Sequence, residues 1–129
     1  MAAEKRHNTK RLISLDIDGT MEFGDPPGKV TVEWVRQALE QGHVVGSSSD
    51  RPVAEQRGLW QKSGMSLDFA VLKQHLEGLK EQFEADEYWH VGDGDIDQFL
   101  AHRAGFTFFW SSSFLEEIAS RNGREPGAA

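Results

Sequence analysis

The chain contains no cysteine, so disulfides, thiolate metal ligands and cysteine nucleophiles are all excluded. Basic residues are few. Fourteen Lys and Arg against twenty-one Asp and Glu give a formal net charge of -7, which argues against a polyanion-binding surface and leaves room only for a local basic patch. No apolar run approaches the roughly 20 residues of a membrane-spanning helix. The N-terminal segment is basic, with Lys5, Arg6, His7, Lys10 and Arg11, but the apolar run after it is only a few residues long and is broken by Asp16. That is not a signal-peptide pattern, and a cytoplasmic protein without membrane partners is expected. The five histidines, His7, His43, His75, His90 and His102, show no metal-ligand spacing on one helix. At 129 residues the chain is long enough for one well-cored domain and too short for two.

What is present alternates. Apolar, β-branched or aromatic stretches at Leu12–Leu15, His43–Ser47, Leu67–Leu72, Tyr88–Val91 and Phe106–Trp110 read as strands. Between them, helical periodicity runs from Thr31 to Gly42, from about Pro52 to Ser63, through Leu72, Leu76, Leu79 and Phe83, and from Asp97 to Ala104. Ser113 with Glu116 forms a capping box for a last helix. Five strand–helix alternations predict a Rossmann-like α/β fold, a three-layer α/β/α sandwich with a five-stranded parallel sheet. Residues 1–10 read as a flexible arm, 11–121 as the single domain and 122–129 as a flexible tail.

The stretch from Leu12 to Thr20 ends an apolar strand in Asp16, Asp18, Gly19 and Thr20. Ionised carboxylates at the end of a buried strand require a cation, a metal or a lysine. A second strand runs into Ser47, Ser48, Ser49, Asp50, Arg51 and Pro52, a start suited to a helix and, at its N-terminus, to an anion. Lys73 directly follows the third strand. After the fourth come Asp93, Asp95 and Asp97, three carboxylates in five residues whose mutual repulsion a divalent cation removes. An EF-hand loop is the poorer match, since the preceding helix and closing glutamate are missing.

Asp16-Ile17-Asp18-Gly19-Thr20, the serine run before Arg51-Pro52, Lys73, and Gly92-Asp93 followed by Asp97 together resemble, in order, the four motifs of the haloacid dehalogenase superfamily. The resemblance spans about Leu12 to Trp110. It implies an enzyme, a magnesium-dependent phosphomonoester hydrolase with Asp16 as nucleophile and Asp18 as general acid and then base. Ser49, or alternatively Ser47 or Ser48, and Lys73 hold the phosphoryl group, and Thr20, Ser48, Ser49, Asp50 and Lys73 form the substrate-binding set. The implied Mg2+ ligands are Asp16, Asp18 through its backbone carbonyl, Asp93, and Asp97 directly or through water.

Asp50 stands where the family usually has glycine. Residues 21–29 are the expected flap, with Met21, Glu22 and Phe23 either near a leaving group or, for Phe23, packed in the core. Only this flap and one helix separate the motifs, so the resemblance is to a capless, phosphatase-type member. A small phosphorylated molecule or phosphoprotein is the implied substrate, nucleic acid is disfavoured, and a homo-oligomer is one way to supply a lid. Two alternatives stand beside this reading, a polynucleotide end-phosphatase and a catalytically weak module that binds a phosphorylated ligand. Arg51 is assigned to solvent in preference to a substrate phosphate, and His90 to packing.

Overall fold

The computed structural model describes residues 9–124. Most of the expected arm and the last five residues of the expected tail lie outside them. The described elements are β1 (Arg11–Leu15), α1 (Val32–Glu40), β2 (Val44–Ser49), α2 (Val53–Lys62), β3 (Phe69–Leu72), a 3-10 segment (Lys73–Gly78) leading into α3 (Leu79–Gln82), β4 (Glu87–Gly92), α4 (Asp95–Arg103), β5 (Thr107–Trp110) and α5 (Phe114–Arg124). All sheet pairings are parallel, in the order β3-β2-β1-β4-β5. This is a Rossmann-like α/β arrangement. The order reverses around β1, so the crevice between the carboxyl ends of β1 and β4 is where such sheets receive ligands.

Alternation along the strands divides the core in two. Ile13, Leu15, Val45, Trp89, Val91 and Phe109 share one cluster with Val35 and Ala38 of α1, Trp60 of α2 and Phe114 of α5. Leu12, Phe69 and Phe106 share the other with Leu76, with Leu79 of α3, with Ala101 of α4 and with Ala104 just after it. Helices therefore cover both faces. Within the second face the inward residues turn polar towards the carboxyl ends: Leu12 gives way to Ser14, Tyr88 to His90, and Val44 to Ser48. Register opposes Ser14 to His90 directly. Stability is concentrated at one end of this face and polar chemistry at the other.

Local signals explain most boundaries. Thr31 caps α1, its hydroxyl accepting from the Trp34 N–H at 3.0 Å. Helix α4 begins at Asp95, two residues before the expected start, with Gly94 at the cap. Helix α5 runs through Arg124, three residues into the expected tail. The segment after β3 departs most from its periodicity. A single helix is expected, but the chain forms a 3-10 turn with non-helical backbone at His75 before α3 begins. Two anchors set that turn: Lys73 is drawn into the polar end of the sheet, and Leu76 and Leu79 must still reach the core.

Phe114 is fully buried, with ring centroids 5.0 Å from Trp34, 5.3 Å from Phe109 and 6.1 Å from Trp89. Phe114→Ala removes the element that joins α5 to the sheet and to α1. It is expected to cost about 3–5 kcal/mol, read as a lower urea midpoint with an unchanged slope.

Candidate functional site

Four chain segments deliver charged groups to the crevice. Asp16 follows β1, Lys73 follows β3, Asp93 follows β4, and Asp97 lies in the first turn of α4. One carboxylate oxygen each from Asp16, Asp93 and Asp97 fall within 4.8 Å of one another, with Asp16 and Asp97 buried and Asp93 exposed. The Lys73 ammonium, itself buried, is 3.0 Å from Asp97 Oδ1, 3.4 Å from Asp16 Oδ1 and 3.9 Å from Asp50 Oδ2. Asp50 is 86% exposed and stands at the rim.

One ammonium does not neutralise three carboxylates. Asp97 takes the shorter bond to Lys73 and another from His90 Nε2 at 2.8 Å, and these outweigh its burial, so it stays below the usual carboxylate range. Asp16 is left with the deficit. Burial, with the Asp97 charge beside it, raises Asp16 to about 7 against the pull of Lys73. Lys73 is held above its ordinary value because Asp16 and Asp97 more than offset its desolvation.

Gly19 shapes the cluster. It has φ of +78°, and a Cβ placed on it would lie 1.9 Å from Asp93 Oδ2, so only glycine leaves room for that carboxylate. The donor set is oxygen only and short of positive charge, which suits a hard divalent cation that keeps waters as ligands. Asp16, Asp93 and Asp97 fit such an ion. The donor set does not single out one metal.

Asp18 sits apart, clamped. Arg51 donates to Asp18 Oδ2 from Nε at 3.0 Å and to Oδ1 from a terminal nitrogen at 2.8 Å, and the Asp25 N–H adds a bond of 2.9 Å. The Arg51 bonds, foremost, hold its carboxyl below the ordinary range. Arg51 was expected in solvent; instead it makes this two-point pair, with Glu55 at 3.4 Å on its other side.

The three serines part company. Ser47 Oγ donates to Gln56 Oε1 at 2.7 Å, and Ser48 Oγ lies 2.7 Å from Ser14 Oγ, so both hydroxyls are engaged inside the fold. Ser49, the last residue of β2, accepts from the Arg51 N–H at 3.0 Å. Thr20 is buried, and its hydroxyl has no partner among the described residues.

The loop over the site is built from its own bonds. The Glu22 N–H donates to the Val30 carbonyl and the Gly28 N–H to that of Met21, while Glu22 Oε2 accepts from Val32. Met21 is fully buried, and Phe23 packs edge-on against Trp60 with centroids 4.8 Å apart. Of the three residues expected near a leaving group, Glu22 alone is exposed.

Sequence reasoning missed His90 and Ser14. His90 is wholly buried, with Nδ1 2.9 Å from Ser14 Oγ and Nε2 on Asp97. The available signal was a pair of polar residues in the middle of two otherwise apolar strands. Compared with protein-family models, curated proteins and solved structures, the chain matches none.

Two outcomes follow from this geometry. In the unfolded chain Asp16 ionises near 3.8, and in the metal-free fold near 7. Between those values the folded state holds the extra proton, so this group makes stability fall as pH rises. Asp16→Asn removes the effect. Its stability relative to wild type is expected to grow from pH 4 to pH 7 and then level off, read as the difference in Tm without divalent metal. Gly19→Ala forces Asp93 aside and is expected to lower both Tm and the affinity for a divalent cation by calorimetric titration, whereas Gly58, half-buried in α2 with open space around it, should tolerate alanine.

Proposed function

We propose that this protein is a magnesium-dependent phosphomonoester hydrolase working through an aspartyl-phosphate on Asp16, as its resemblance to capless haloacid dehalogenase phosphatases implies. One observation carries the reading: a buried lysine held between two buried aspartates, beside a third carboxylate, at the sheet's switch point. This juxtaposition supports the reading because a nucleophile, a phosphate counter-charge and metal ligands would all be needed at one place.

In this reading Asp16, Asp93 and the Asp18 backbone carbonyl hold Mg2+, with Asp97 as a direct or water-mediated partner. The ion supplies Lewis-acid stabilisation of the charge on the transferring phosphoryl group. Lys73 neutralises phosphate oxygens, and Ser49, at the end of β2, offers its hydroxyl and adjacent amides. Asp16 Oδ attacks phosphorus while the bond to the leaving oxygen breaks, and Asp18 passes its proton to that oxygen. Ionised Asp18 then takes a proton from water, whose oxygen attacks phosphorus and breaks the bond to Asp16. Phosphate leaves, and Asp18 is again protonated.

The clamp on Asp18 sets a condition. In the resting geometry it is an ionised base, ready for the second half-reaction only. The first half requires Asp18 to exchange Arg51 for the substrate's leaving oxygen and to take up a proton. Substrate binding that draws Arg51 away meets both needs, because loss of the guanidinium restores a more ordinary carboxyl. The same clamp favours one rival, a module that binds a phosphorylated ligand without turning it over. The end-phosphatase reading is weaker, since a formal net charge of -7 disfavours a polynucleotide surface.

Phosphate release from sugar phosphates, nucleotides, phosphopeptides and a generic aryl phosphate decides between them. With Mg2+, turnover of at least one class is expected. It should vanish with chelator and fall by roughly 10³-fold or more in Asp16→Asn. Magnesium binding with no turnover of any class would favour the binding module.

A further inference from the structure

Asp97 is bound asymmetrically. Both of its partners, Lys73 Nζ at 3.0 Å and His90 Nε2 at 2.8 Å, engage Oδ1. No hydrogen bond or ion pair falls on Oδ2 among the described residues. The carboxylate is also pressed against the chain at Gly92, where a Cβ would lie 2.3 Å from Asp97 Cγ. Its position is thereby held from three sides, with two bonds on Oδ1 and none on Oδ2 among the described residues.

His90 is what makes the saturation directional. A carboxylate only accepts, so the bond to Asp97 requires the proton on Nε2; a neutral ring then accepts on Nδ1, where the Ser14 hydroxyl stands 2.9 Å away. Ser14 is in turn 2.7 Å from Ser48 Oγ on the next strand. The chain Ser48–Ser14–His90–Asp97 thus crosses β2, β1 and β4 to α4, entirely buried. A wholly interior imidazole with both nitrogens engaged, one by a carboxylate of the acidic cluster, can orient that carboxylate through its hydrogen bond, as the partners of metal-ligating carboxylates do.

We propose that His90 is a positioning residue for the metal centre: with its Nδ1 fixed by Ser14, its Nε2–H holds Asp97 Oδ1 so that Oδ2 is presented to the cation. This rests on reading Asp16, Asp93 and Asp97 as a magnesium site. His90 touches neither metal nor substrate in this role. It acts through Asp97.

The test uses two amides of different reach. The Gln side-chain nitrogen falls near the position of Nε2, so His90→Gln keeps a donor for Asp97. The shorter Asn nitrogen falls near Nδ1, so His90→Asn retains a partner for Ser14 and deprives Asp97. Magnesium affinity by isothermal titration calorimetry and Tm are measured for both and for wild type. His90→Asn is expected to bind Mg2+ about ten- to a hundredfold more weakly, and His90→Gln within about threefold of wild type, whatever their order in Tm. Equal affinity of His90→Asn and wild type overturns the proposal, as does an affinity loss that follows Tm and ignores which amide is present.

If His90→Asn does not fold, Ser14→Ala decides. It keeps the ring but frees its orientation, so weaker Mg2+ binding supports the role and unchanged binding overturns it. Failure of the wild-type protein to bind Mg2+ overturns the metal-site reading itself, an outcome separate from tight wild-type binding that His90 does not influence.

Discussion

The site depends on one ion pair, the buried Lys73 ammonium bonded to Asp97 and close to Asp16. Removing either side of such a pair leaves an uncompensated interior charge, which costs far more than the pair itself contributes. The surrounding structure follows from that constraint. Lys73 reaches the carboxylates only because the chain after β3 turns tightly, so the helix its periodicity suggests becomes a 3-10 turn. Asp97 keeps its charge through His90 and Lys73, and Asp16 absorbs the remaining imbalance by holding a proton to about neutrality. A divalent cation would reverse that last allocation, since it favours the ionised form of every carboxylate facing it.

The two basic groups at the crevice are used differently. Lys73 is buried and committed, a permanent counter-charge. Arg51 is partly exposed and forms a planar two-point bond to Asp18, a geometry that a phosphate or carboxylate on a ligand reproduces equally well. One cation therefore defines the resting site, and the other is exchangeable. Glu55, on the far side of Arg51, limits how far the guanidinium is free when Asp18 is released.

Much of this was legible in the sequence. The succession of strands and helices along the chain came from alternating apolar runs with glycine and capping stops, signals local to a few residues. Asp16 stood out because charge at the end of an apolar strand is costly unless it is used, Asp93 and Asp97 because crowded carboxylates repel one another, and Lys73 only through the resemblance. What could not be read were pairings fixed by register and loop path. His90 meets Ser14 because β1 and β4 are aligned in one particular way, and Arg51 meets Asp18 because β1 and β2 are neighbours and the segments after them meet at the carboxyl edge. The choice among Ser47, Ser48 and Ser49 was equally closed to sequence, since three identical residues differ only in which face each takes and what stands opposite. Boundaries at Asp95 and Arg124 moved because helix ends carry the weakest local signals.

The two faces of the sheet also differ in how freely they can change. Beneath α1, α2 and α5 the inward residues are mostly hydrocarbon, and such a surface accepts substitutions of similar volume at modest cost. On the opposite face, Ser14, Ser48 and His90 interrupt the apolar cluster with groups whose hydrogen bonds depend on one another. No single member of that lane can drift alone, because each replacement strands its neighbour. Sequence divergence among descendants of this chain should consequently be uneven, broad across the hydrocarbon surfaces and nearly frozen along that one lane.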